Sequence, residues 1–110
     1  MAFDKGLAER MRKLLAEHEA VLAEKKMFGG LSFMLQGNFA CGLTKQDLVV
    51  RVGPERYGEA LEHPHAREMD FTGRPMTGWV YISPDGYESD ADLAAWLRQG
   101  VDFALSLPPK

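Results

Sequence analysis

Cys41 is the single cysteine of the 110-residue chain. A lone thiol becomes a nucleophile only where a base or a positive field lowers its pKa. The downstream histidines are His63 and His65, and nothing in the spacing brings either to the thiol. Cys41 alternates with Phe39 and Leu43, which would put all three on one strand face, so it is expected to be a small buried hydrophobe. His63-Pro64-His65 would start a metal site only if other ligands, such as Glu62 or Asp70, joined it. An H-x-H pair without a third spaced His or Cys carries little metal information. His18 lies on the apolar side of a helical segment and reads as a hydrogen-bonded residue at the core edge. Asp70, Arg74 and Asp85 stand in loops or at strand ends; Asp70 and Arg74 flank a tight connection and are expected to pair across it. Carboxylate pairs for glycosidic chemistry need a cleft geometry that no spacing defines. No catalytic residue, metal or cofactor is assigned.

Gly29-Gly30, in the run KKMFGGLSF, raises phosphate binding as a further chemistry. A phosphate loop runs from a strand into a helix and holds its lysine inside the loop. Here the glycines lead into a strand, and Lys25 and Lys26 precede them. The pair is expected to form a bulge or bend at the start of that strand. The alternative is a binding edge that uses exposed backbone.

Net charge is -3, with 45% hydrophobic and 26% charged residues. These values describe an ordinary globular domain. A weakly acidic chain lacks the electrostatic footprint of a dedicated nucleic-acid binder, so direct nucleic-acid binding is not expected. The one dense basic cluster, Arg10, Arg12 and Lys13, lies among glutamates and reads as a solvated helix face. One cysteine excludes an internal disulfide. No run approaches the length of a membrane span, and the first residues lack the apolar core of a signal peptide, so the expected location is cytoplasmic.

The elements that must position these residues follow from periodicity. Asp4 to about Glu24 reads as an amphipathic helix, with Leu7, Met11, Leu14, His18 and Val21 at helical spacing. Three strands follow: Leu31–Leu35, Phe39–Leu43 and Leu48–Val52. Gln36-Gly37-Asn38-Phe39 reads as the tight hairpin between the first two. Pro54 suits the first turn of a short helix, Glu55 to Glu62. Met69–Phe71 and Trp79–Ile82 read as strands, with Pro84-Asp85-Gly86 as a turn. Ser89 and Asp92 fit the N-terminus of a last helix whose stripe is Leu93, Trp96, Leu97, Val101, Ala104 and Leu105. Gly100 within it implies close packing or a kink. The expected fold is one α+β domain over residues 1–110. It has two layers, an antiparallel five-stranded sheet with helices packed on it, and the order α-β-β-β-α-β-β-α.

Two segments resemble the N-terminal domain of the TfoX/Sxy family, the bacterial competence regulators. They are KKMFGGLSFMLQGNFACGLTKQDLVVRV, with Met27-Phe28-Gly29-Gly30 opening the first strand, and MDFTGRPMTGWVYI over residues 69 to 82. The similarity spans roughly residues 8 to 105. It implies an α+β domain linked to regulation of competence genes, acting with a transcription activator and not by catalysis. Full-length regulators of the family carry a second, helical C-terminal domain. This chain stops at Lys110 and is expected to be the N-terminal domain standing alone. The expected function is a small non-enzymatic regulatory or adaptor domain that works by contact with a protein partner or a second copy of itself. The interaction candidates are Phe28, Gly29, Gly30, Arg74, Met76 and Trp79, because Met and Arg are enriched at interfaces. The rival expectation is a small-ligand binder or enzyme with a pocket near the Gly29-Gly30 bend and the Arg74 loop.

Overall fold

The computed structural model describes residues 5–16, 22–27, 30–44, 47–69 and 76–108. The elements in order are α1 (Lys5–Leu15), β1 (Leu22–Met27), β2 (Gly30–Leu35), β3 (Asn38–Thr44), β4 (Asp47–Arg51), α2 (Pro54–Leu61), β5 (Ala66–Glu68) and β6 (Trp79–Ile82), then a 3₁₀ turn (Pro84–Tyr87) and α3 (Asp90–Ser106). The strands form one antiparallel sheet in the order β1-β2-β3-β4-β6-β5. The fold is α+β, as expected, but the described sheet has six strands and not five.

The additional strand comes out of the expected first helix. α1 ends at Leu15, and Leu22–Met27 pairs with β2 along its whole length. Ala, Glu and Lys are good helix formers, so LAEKKM carries a local helical preference. Pairing with β2 overrides it, as tertiary context does for marginal segments. His18 lies outside the described residues. Gly30 therefore opens the second strand of the sheet. The β1–β2 register runs unbroken from Leu22↔Leu35 to Met27↔Gly30, so Gly30 is not a bulge. Its role is close approach: a methyl group there would overlap the carbonyl oxygen of Leu43.

The bulge lies in β3. Phe33 pairs with Cys41, yet Met34 pairs with Phe39, which leaves Ala40 as the extra residue. One inserted residue shifts the alternation of everything beyond it. Phe39 accordingly leaves the face shared by Cys41 and Leu43 and joins the opposite one. The hairpin before it turns on Gln36 (φ 54°) and Gly37 (φ 85°), the two positive angles of a tight hairpin turn. Asn38, expected in that turn, is buried in the strand, and its Nδ2 donates to the carbonyl of Pro108 at 3.0 Å.

Every helical residue of the core belongs to one cluster. Leu7, Met11 and Leu15 of α1 and Leu93, Leu97 and Val101 of α3 meet Leu31, Phe33, Cys41, Val50 and Ile82 of the sheet. Gly100 sits where α3 crosses the bulge, and a methyl group there would overlap the Ala40 carbonyl. Close packing is thus the reason for that glycine. Ser89 caps α3, its Oγ accepting from the Asp92 N–H at 3.1 Å. Leu105 is 50% exposed and stands off the buried stripe. A short strand forms at Ala66–Glu68; of the expected strand Met69–Phe71, Met69 follows it and residues 70 and 71 lie outside the described residues, and Pro84-Asp85-Gly86 forms a 3₁₀ turn.

Candidate functional site

Strand alternation places Asp47, Val49 and Arg51 of β4 on the sheet face away from the helical cluster, with Trp79 and Tyr81 of β6 and Arg67 of β5 beside them. Phe39, Val49 and Met69 are buried there, and Met34, Met76, Trp79 and Tyr81 pack partly buried against them. The Trp79 and Phe39 rings are 4.6 Å apart, tilted by 37°. The Arg51 guanidinium lies 5.1 Å from the Trp79 ring and 5.0 Å from the Phe103 ring, and burial lowers its pKa from the usual value. Arg67 lies 4.9 Å from the Tyr81 ring and donates to Asp47 at 2.6 Å. Two cations are therefore held over aromatic faces, an arrangement that orients each guanidinium, and that of Arg67 is also paired with Asp47.

Of the six interaction candidates, Met76 and Trp79 come together on this face. The Met76 N–H donates to Met69 at 2.8 Å, and the Trp79 N–H donates to Met76 at 3.0 Å. Gly30 is buried against the backbone of β3. Phe28, Gly29 and Arg74 lie outside the described residues, as does the expected Asp70–Arg74 pair. Sequence reasoning passed over Arg51, Arg67 and Tyr81. The signal that could have found them is the period of two in β4 and β6, which sets Arg51 in line with Val49 and Tyr81 in line with Trp79.

The remaining candidate chemistry does not assemble. Cys41 is fully buried, and burial pushes its thiol pKa up, away from the thiolate a nucleophile needs. The Nδ1 of His63 accepts from the His65 N–H at 3.3 Å, and its ring meets Trp96 edge-on at 5.2 Å. Among the described residues, no group of three or more His, Cys, Asp or Glu is placed to hold a metal ion. The basic cluster is more than a solvated face. Arg10 donates to the carbonyls of Tyr87 and Glu88 at 2.9 and 3.1 Å and to Asp90 at 3.2 Å. Arg12 grips both carboxylate oxygens of Glu24 at 2.8 Å.

Two grooves border α2. One of about 380 Å³ has Val52, Pro54 and Phe103 as apolar walls, with Arg56, Asp102 and Ser106 at its rim. The other, about 230 Å³, lies between Glu59, His63, Asp92 and Trp96. Among the described residues, no helix is long and apolar enough to cross a membrane.

Comparison with curated proteins gives no significant match. A family model, the TfoX N-terminal domain, matches residues 13–104. That span takes in the end of α1, the whole described sheet, α2 and nearly all of α3. The bulged antiparallel sheet with its three helices is therefore the fold of a chain that belongs to the TfoX N-terminal domain family.

Proposed function

We propose that the chain is a non-enzymatic regulatory or adaptor domain that acts by protein–protein contact and is linked to competence-type gene expression. Family membership carries this reading. It is supported by the face built from Met34, Met76, Trp79, Arg51 and Arg67, whose residue types are those enriched at protein interfaces. The thiol is buried and the His63 ring bonds locally, so neither supports a catalytic role. The test is deletion of the coding sequence in the native host, with transcript profiling and affinity capture of the tagged chain. Transcripts of DNA-uptake genes are expected to fall, with a transcription activator among the captured proteins. Unchanged transcripts with no captured protein overturn the reading.

A second reading, a small-ligand binder, is favoured by the groove beside Phe103, which combines apolar walls with a few polar rim groups. A thermal-shift screen with metabolite mixtures separates the two. A stabilising metabolite whose effect is lost on Phe103→Ala supports ligand binding.

A further inference from the structure

We infer that the open edge of β1 is a docking site for an extended acidic segment of a partner protein, which adds to the sheet as a seventh strand. β1 is the first strand of the sheet order, so one side of its backbone pairs with β2 and the other has no strand neighbour among the described residues. Ala23, Glu24, Lys25 and Lys26 are all exposed. An unpaired strand edge is a ready template for another strand, with backbone hydrogen bonds supplying affinity and side chains choosing the partner.

The side chains of β1 define that choice. Glu24 and Lys26 pair with Phe33 and Leu31, so they share the helix-covered face, while Lys25 pairs with Ser32 on the other. Glu24 is already held by Arg12. Neither Lys25 nor Lys26 has an ion-pair partner among the described residues. One uncompensated cation thus projects from each face of the edge. Lysines on an edge repel neutral and basic strands by the cost of desolvating or opposing them. A strand with an acidic residue on each face meets both with opposite charge.

Charge also argues against a second copy of β1 as the occupant. Two-fold antiparallel pairing sets residues of the same face against each other. The two registers that overlap most of the strand then place Glu24 opposite Glu24, or Lys25 opposite Lys25. The second also sets Glu24 against Lys26, but only by taking Glu24 from Arg12.

The assignment rests on reading the chain as a protein-contact domain, and the experiment separates the two. The probe is a short synthetic peptide with two adjacent glutamates flanked by valine and threonine, one carboxylate on each side of the strand. Controls replace the glutamates by lysine, or N-methylate alternate peptide amides to remove their donors. The readout is amide shift and hydrogen-exchange protection at residues 22–27 of the whole chain. The acidic peptide is expected to protect outward amides of β1, and both controls to leave them unprotected. Lys25→Glu with Lys26→Glu is expected to weaken binding at least about tenfold and to melt like the parent. Absence of β1 protection, or binding indifferent to N-methylation, overturns the proposal. Concentration-dependent β1 protection without peptide, accompanied by dimer in sedimentation, also overturns it by giving the edge to a second copy. A partner captured equally by the double variant overturns the edge assignment and leaves the contact reading standing. Peptide binding at β1 with no captured partner supports the edge and counts against the contact reading.

Discussion

Gly100 and Gly58 are both helical glycines, yet an added methyl group meets opposite surroundings at the two positions. At Gly58 nothing lies within 4 Å of the new carbon. Gly58→Ala should therefore stabilise the fold by about 0.4–1 kcal/mol, since alanine restricts the unfolded chain. At Gly100 the same change meets the Ala40 carbonyl. The intrinsic gain of about 1 kcal/mol is outweighed by overpacking, and the net expectation is a loss of about 1–3 kcal/mol. Urea denaturation of both variants checks the opposite signs. Gly30→Val should also lose about 1–3 kcal/mol, by collision with the β3 backbone and not through an unusual φ. Cys41 obeys the same packing. Its thiol is buried and its pKa raised, so labelling by a thiol reagent at neutral pH should be slow in the native protein and fast in denaturant.

Between elements, two arginines of α1 act as ties. Arg10 fastens the helix to the junction of the 3₁₀ turn and α3, where the Tyr87 and Glu88 carbonyls face it. Arg12 fastens it to β1 through Glu24. The hydrogen bond from Arg12 holds the Glu24 carboxyl below its ordinary value of 4.5. A depressed carboxylate contributes stability that is present above the unfolded pKa and is lost as pH falls through the lower folded value. Arg12 stays charged throughout that window, its pKa being raised by the same bond. Thermal melts between about pH 6 and pH 3 should show the parent losing more stability than Glu24→Gln on the acid side. At the start of α3, Ser89→Ala should cost about 1 kcal/mol by orphaning the Asp92 N–H.

The whole molecule carries a small second core on the face opposite its helices. Met76 packs there against Phe39, Val49 and Met69, so it contributes to folding whatever else it touches. Met76→Glu should lower stability by about 1–3 kcal/mol, because the carboxylate loses water against apolar neighbours. Met76→Leu should stay within about 1.5 kcal/mol of the parent. Melting curves distinguish the two. Loss of partner capture by Met76→Leu with an unchanged melt would assign Met76 a contact role beyond packing.

Periodicity by itself determined the α+β class, the meander from Leu31 to Val52, and the Ser89-capped last helix. Those signals are local: alternation, turn residues and a cap within a few positions of each other. The burial of Cys41 was also legible from Leu43, two positions on and on the same core face, although Phe39, two positions back, lies on the other. Only the tertiary structure decided β1, since LAEKKM has helical propensity and becomes a strand by pairing with β2. Only the structure revealed the bulge at Ala40, because one inserted residue leaves the composition unchanged while moving Phe39 to the other face. Arg51, Arg67, Met76 and Trp79 became one surface for the same reason. The strands of Arg51, Arg67 and Trp79 are neighbours in the sheet but separated in the chain, Met76 leads into the last of them, and register is fixed by packing that no local pattern contains.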